Sequence, residues 1–599
     1  MKRVPHPQTN TKVSLQDVIN RIEANPDLSE VRKRDLQSAV VTFAKLSEKM
    51  PTMVPLDLGV IRATLDGMVP AQVMVSRKRW ANLRSDLAAA FDACGLQPML
   101  KTAGVEFDEN WTRLFQGISD DRVLRGLSRF ARWATLRQVT PQSVDDVVVD
   151  RFITELQAST LIRMISQHPR AVTKAWNRLV RLKPEEKLRA VKMPATPCAS
   201  KRVPWETLPA TFRADVDEYL IWCTVPDPLD DETRSRALAP RTRDLQRDHI
   251  HSAVTAAVAG GVDLSRWTSL ANLVEPDVFK LLLRQRWQED GRLLKVYTHG
   301  VAGTLIAIAK EWVGAKVEHV AALKLLRRKL GSLPTGMTAK NDATMKMFED
   351  PRLLEALACL PDKLWRQARR DLATSRKAFI EVQNALAIDL FLHFPTRMQN
   401  LYDLSFERHL RWPQGPGNPA LLTFDVDETK NKVALAFDIP AVLGDRLLIY
   451  RDEIAPTVIG NRPDAVFVTL NGKRKTQAAL TIAIEKALLR NLGIRLTPHQ
   501  FRHLAAKIKL DANPDSFDSV RELLGHKNLK TTINFYAGIN TRRAGRSQAG
   551  RFSWTRPKCS IRRSSSSSVG RRVRSLPFLI SPSFLMTVIA SSNSCRDSG

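Results

Sequence analysis

Apolar residues three and four apart, as at Leu127, Phe130, Ala131 and Ala134, run through residues 1–195 and return over 211–331. That period gathers them on one face of an α-helix, so this half of the chain can bury its apolar surface only by packing helix on helix. The proline-bearing stretch 192–209 between the two blocks reads as a linker. From about residue 340 the pattern is mixed. Residues 379–394 form an apolar helix that stops before Pro395. Leu422, Phe424 and Val426 alternate with Thr423, Asp425 and Asp427, and Val433, Leu435, Phe437 and Ile439 alternate in turn. With 428–431 between them, the reading is a β-hairpin carrying Lys430 at its tip.

Charge narrows the class of partner. The 599 residues carry a net charge of +30, which points to a polyanion, nucleic acid before membrane. Residues 542–599 hold twelve Lys or Arg against one acid, and five consecutive serines, so this stretch is expected to be a disordered basic tail. The first 541 residues keep most of the surplus without it. The six cysteines stand apart with no CxxC pair, which excludes a disulfide scaffold and the usual zinc ribbons and suits a reducing compartment. The first residues, MKRVPHPQTNTKVSLQDV, lack the apolar run of a secretory signal. The late apolar run 576–590 is too short and too interrupted to span a bilayer. A cytoplasmic protein without a membrane partner is expected.

The sharpest local signal is Leu496-Thr497-Pro498-His499-Gln500-Phe501-Arg502-His503. Thr497 suits a helix N-cap, Pro498 the first helical position, and Gln500 the N3 place of a capping box. His499 and Arg502 then lie in the first turn at i, i+3, where free N–H groups and the positive dipole end favour an anion. In Val520-Arg521-Glu522-Leu523-Leu524-Gly525-His526, Gly525 suits the C′ position of a helix and leaves His526 just beyond it. Tyr536 follows ten residues later. Arg397 comes directly after the apolar helix. Taken singly, each has a bland reading: a solvated helix end, a packing tyrosine, a surface ion pair.

Together, Arg397, Lys430, His499 with Arg502, His526 and Tyr536 resemble the signature of the tyrosine recombinase (phage integrase) family, Arg…Lys…His-x-x-Arg…His/Trp…Tyr. The resemblance covers residues 340–541. It implies a multidomain chain: an all-α N-terminal domain at 1–195, a core-binding (SAM-like) helical domain at 211–331, a mixed α+β catalytic domain at 340–541, and the tail. Two departures stand out. Asn400 occupies the place, three after the first arginine, where the family often has an acid, and the His526–Tyr536 spacing is ten where nine is common.

The chemistry implied is cutting and rejoining of double-stranded DNA through a 3′-phosphotyrosyl bond, by a tetramer on DNA, with neither metal nor other cofactor. Arg397 and Arg502 would clamp the phosphate oxygens with bidentate forks as charge builds. His499 and His526 would add donors, with His499 also able to accept the tyrosine proton. Tyr536 would be the nucleophile, and Lys430, or Lys432 two residues on, would protonate the departing 5′-oxygen. Two other readings use the same residues: a type IB topoisomerase that relaxes DNA without exchanging partners, and a DNA-binding protein with an inactive site.

Overall fold

The computed structural model describes residues 13–194, 202–333, 336–534 and 536, except 74, 98, 228, 230–233 and 235. Residues 13–194 are helical, as the periodicity requires, but they close over two cores where one domain was expected. Helices Leu15–Ala24, Glu30–Leu46, Leu58–Gly67 and Arg77–Ala93 enclose Leu15, Ile22, Phe43, Leu83 and Phe91. Helices Glu109–Phe115, Asp121–Leu136, Asp146–Ser159 and His168–Leu182 enclose Trp111, Phe130, Trp133, Phe152 and Trp176. The large aromatic rings interlock edge to face, as at Trp111–Phe130 (5.7 Å between centroids), and fill the second core without help from the first. The seam is stapled by buried Arg62, whose guanidinium donates to the carbonyls of Gln157 (2.6 Å) and Thr160 (2.7 Å).

Residues 195–335 are a compact unit of their own; the helical block was expected at 211–331. Its helices, from Ala210–Trp222 to Val317–Lys329, bury Phe212, Tyr219, Trp267, Phe279 and Leu305. The expected linker 192–209 is shorter than its prolines suggest. Val203 and Trp205 pack on this core, and the Val203 carbonyl meets His251 Nε2 at 2.7 Å. Apolar burial of a tryptophan and a valine outweighs the extended preference of the prolines around them.

Residues from 336 on share the other unit with 1–194. One close approach explains a glycine: Gly493 has φ +73°, and a Cβ there would lie 2.8 Å from the backbone nitrogen of Gln72. The core of this part is built on helix Arg376–His393, which ends where Pro395 requires. Beside it lies an antiparallel sheet of β1 (Leu410–Arg411), β2 (Ala420–Phe424) and β3 (Leu435–Ile439), in the order β1-β2-β3. Leu422 faces Phe437 and Phe424 faces Leu435.

The expected hairpin is therefore present, but its strands end earlier than the alternation predicts. Val426 is exposed, and Val426–Glu428 turns as a 3₁₀ helix, because the Glu428 side chain reaches back to the Asp425 backbone in a capping box. The expected tail at 542–599 lies outside the described residues, as do 537–541. Among the described residues no helix is long and apolar enough to cross a membrane.

Candidate active site

The helix Pro498–Ala512 starts as its residues demand: the Thr497 side chain accepts from the Gln500 N–H, and Gln500 Oε1 accepts from the Thr497 N–H at 2.8 Å. Phe501 stacks on Phe391 with centroids 5.2 Å apart, which docks this first turn on the buried 376–393 helix. His499 and Arg502 do not share a surface. His499 stands on the exposed side, its ring edge-on to His503 at 4.6 Å, while Arg502 turns inward and is 5% exposed.

Arg502 donates to the carbonyls of Pro395 (2.5 Å) and Leu524 (2.6 Å). One side chain thus ties together the segment that carries Arg397 and the turn that carries His526. Two of its five donor hydrogens are used there, and the rest remain for a ligand. The second tie is Gly525, which ends helix Phe517–Leu523 with φ +57°; a Cβ there would lie 3.1 Å from the Leu435 side chain at the start of β3. Its carbonyl accepts from Asn431 Nδ2 at 2.6 Å, so the β2–β3 connection is fastened beside His526. Asn400, in the place often held by an acid, is buried and donates to the Glu428 carbonyl at 3.1 Å; it braces the same connection.

The electrostatics are one-sided. Burial lowers the pKa of half-buried Arg397; burial and then the Arg397 charge push Arg502 down to about 10. Burial, then Arg502, Arg397 and His499, push His526 down to about 4. Burial, then Arg502 and Arg397, also hold His499 below the ordinary imidazole value. No carboxylate among the described residues bonds Arg397 or Arg502. Two arginines that together depress the basicity of their histidine neighbours, with no acid among the described residues bonded to either, form a site that an anion would stabilise.

Tyr536 is 2% exposed, packed among Ala506, Leu510, Val520 and Leu524. Its oxygen lies 2.9 Å from Nδ1 of His503, itself 3% exposed. Burial raises the Tyr536 pKa against the pull of Arg502, so at neutral pH it is a phenol. Burial, then His499, Arg502 and His526, push His503 down to about 4. From the sequence alone His503 has no part, and His499 is the group able to accept the tyrosine proton. The available signal was its position four residues after His499, on the same side of the helix.

The structure thus brings Arg397, His499, Arg502, His526 and Tyr536 into one neighbourhood. Lys430 is exposed and makes no hydrogen bond or ion pair among the described residues, although its neighbour Asn431 is anchored next to His526. Lys432, with φ +53°, is held by Asp427 (2.8 Å).

Residues 366–543 match the phage integrase family model. Tyrosine recombinases XerC of Pseudomonas syringae pv. syringae and of P. syringae pv. tomato are 44% and 45% identical over 69 residues, 12% of this chain and 23% of theirs. The match therefore spans under a quarter of the length of these curated relatives. A crystal structure of a lambda integrase dimer bound to a COC′ core site aligns over 54% of this chain and 94% of its own, at 16% identity and a TM-score of 0.33.

Proposed function

Residues 366–543 make this chain a member of the phage integrase family, the tyrosine recombinases, and on that premise we propose that it cuts and rejoins double-stranded DNA at specific sites through Tyr536. The observation that carries this reading is the buried tyrosine set beside three histidines held neutral and two arginines that no carboxylate among the described residues bonds. A DNA phosphodiester supplies the missing negative charge.

In the proposed step, Tyr536 Oη forms a bond to phosphorus and the bond from phosphorus to the 5′-oxygen breaks. The tyrosine gives its proton to His499 and the 5′-oxygen gains one from Lys430, so the exchange is balanced without metal or ATP. Arg397 and Arg502 hold the non-bridging oxygens as charge grows on them; a single such donor is worth about 10²–10³ in rate. His526 and His499 are neutral donors before DNA arrives. Lys430 protonates the leaving oxygen, from a connection that Asn431 and Asn400 anchor close by. Because the hydroxyl is buried, the segment carrying Tyr536 shifts to bring it in line with the phosphorus. Assembly as a tetramer on DNA, with 195–335 as a further DNA-contacting unit, belongs to the same proposal.

The test is a duplex nicked near the scissile phosphate, which traps covalent protein. The parent chain forms a denaturation-resistant adduct, and Tyr536→Phe binds the duplex without forming one. An adduct with the Phe variant would assign the nucleophile elsewhere. A substrate with sulfur at the 5′ bridging position needs no proton to depart, so it restores cleavage by Lys430→Ala. Restoration of Lys432→Ala alone would move the acid two residues along.

A further inference from the structure

A chain of four hydrogen bonds runs from a backbone amide to the tyrosine oxygen, and each link decides the orientation of the next. The Thr497 N–H can only donate, so the Gln500 atom facing it at 2.8 Å is the oxygen Oε1. That leaves the Gln500 amide nitrogen pointing at Asn341 (3.1 Å) and at the Thr344 hydroxyl (3.0 Å). The Asn341 atom receiving it must be its oxygen, so Asn341 presents its Nδ2 hydrogens to His503 Nε2, at 3.3 Å. A ring nitrogen that accepts carries no proton. The proton of neutral His503 is therefore on Nδ1, the atom 2.9 Å from the Tyr536 oxygen.

We propose that His503 donates to the Tyr536 oxygen and does not take its proton, and that Asn341 is the positioning residue that holds the ring in this tautomer. The functional meaning rests on Tyr536 being the nucleophile, whereas the tautomer does not. A fixed N–H aimed at the oxygen steadies the negative charge that builds there as the hydroxyl proton leaves, and needs no reorganisation during the step. Over the step the phenol proton passes to His499, the Tyr536 oxygen–phosphorus bond forms as the bond from phosphorus to the 5′-oxygen breaks, and Lys430 gives that oxygen a proton; His503 ends with the proton it began with. The network also opposes a charged ring. A protonated His503 would set Nε2–H against the Asn341 amide hydrogens, in line with a pKa pushed down to about 4 by burial, His499, Arg502 and His526.

The origin of the network is far from the site in sequence. Asn341 lies in the first turn of helix Ala339–Met347, capped by Thr338. Gln500 is buried and has two tasks, closing the helix cap and starting the relay.

The test measures covalent attachment to the nicked duplex in single turnover from pH 5 to 9, with the full chain. His503→Asn retains an N–H in the place of Nδ1 and stays within about tenfold of the parent, whereas His503→Leu loses about a hundredfold or more. Asn341→Asp has the same shape but cannot donate to Nε2. It reverses the ring, so that Nδ1 accepts from the tyrosine, slows attachment about tenfold or more, and moves the acid limb of the pH profile upward because the carboxylate favours a charged His503. A packing role alone would impair His503→Asn and His503→Leu alike and leave the Asn341→Asp profile in place; that result overturns the proposal. The unaltered chain labelled with [¹⁵N]histidine provides a second readout, independent of variant folding and of any DNA chemistry. The signals missing from His503→Asn must show a protonated Nδ1 and an unprotonated Nε2, and the opposite assignment overturns the relay. A chain with the assigned tautomer that never attaches to DNA would refute the proposed function and not the hydrogen-bond chain.

Discussion

Buried Arg502 and partly buried Arg446, in the same part of the molecule, are treated in opposite ways. Arg446 bonds carboxylates on both sides, Asp362 and Asp389 (3.1 Å), and lies over the Trp365 ring. Asp389 also bonds His393, whose pKa is raised although burial works against the charged form. Arg502 bonds only backbone carbonyls, with Arg397 close enough to lower its pKa and histidines held neutral around it. In the first corner each charge is answered within the fold. The second is left short of negative charge, which is what a phosphate would supply. The comparison separates an arginine that holds structure from one prepared for a ligand more sharply than burial does, since both are largely withdrawn from solvent.

Three arginine substitutions would break or sharpen it. Arg446→Leu strands two partly buried carboxylates and should lower stability by about 3–5 kcal/mol in urea unfolding, with attachment by the folded fraction changed less than about threefold. An equally large loss of attachment would erase the distinction between the corners. Arg397→Leu and Arg502→Leu should each lower single-turnover attachment by about 10²–10³. Only the second should lose stability, by about 1–3 kcal/mol, because the Pro395 and Leu524 carbonyls lose their donor.

The corners should also respond oppositely to acid. His503 and His526 have folded pKa values of about 4, below the ordinary 6.5, so the unfolded chain binds protons first and stability falls as pH drops from 6.5 towards 4, levelling below that. For buried His503 the fall is on the order of 3 kcal/mol. His393, raised, contributes stability that is present below 6.5 and lost as pH rises through its folded pKa. Urea midpoints against pH should therefore flatten between pH 6.5 and 4 in His526→Gln, whereas His393→Gln should keep the acid limb of the parent and lose only the decline above 6.5; parallel curves would contradict the opposite signs.

The smallest effect tests burial with neither acid nor ligand. Lys475 Nζ is buried without a hydrogen-bond partner among the described residues, and burial lowers its pKa to about 8. Lys475→Met should gain about 1 kcal/mol at pH 7. The gain should shrink as pH rises from 8 to 10.5, where the lysine loses its charge; a loss at every pH would reveal a role for the ammonium.

Much of this was legible before any coordinates. The capping box at Thr497–Gln500, the end of the 376–393 helix at Pro395, and Gly525 closing its helix with positive φ all follow from residues within a turn of one another. The roster Arg397, His499, Arg502, His526 and Tyr536 was readable as a resemblance, and the fold brings these residues together. The β2–β3 connection was less so, because Glu428 forms a local capping box that competes with strand pairing and ends β2 at Phe424.

Local backbone geometry is short-range, so the sequence by itself determined where helices begin and end, which faces are apolar, and which side chains have the chemistry to hold a phosphate. Partnership is long-range. That Arg502 reaches the Pro395 carbonyl 107 residues away, that Asn341 meets His503 across 162, and that His503 rather than His499 touches the tyrosine were decided only when the helices packed. A side chain's hydrogen-bond partner, and with it a tautomer or a pKa, depends on which groups share its few ångströms of desolvated space, and only the tertiary structure sets that.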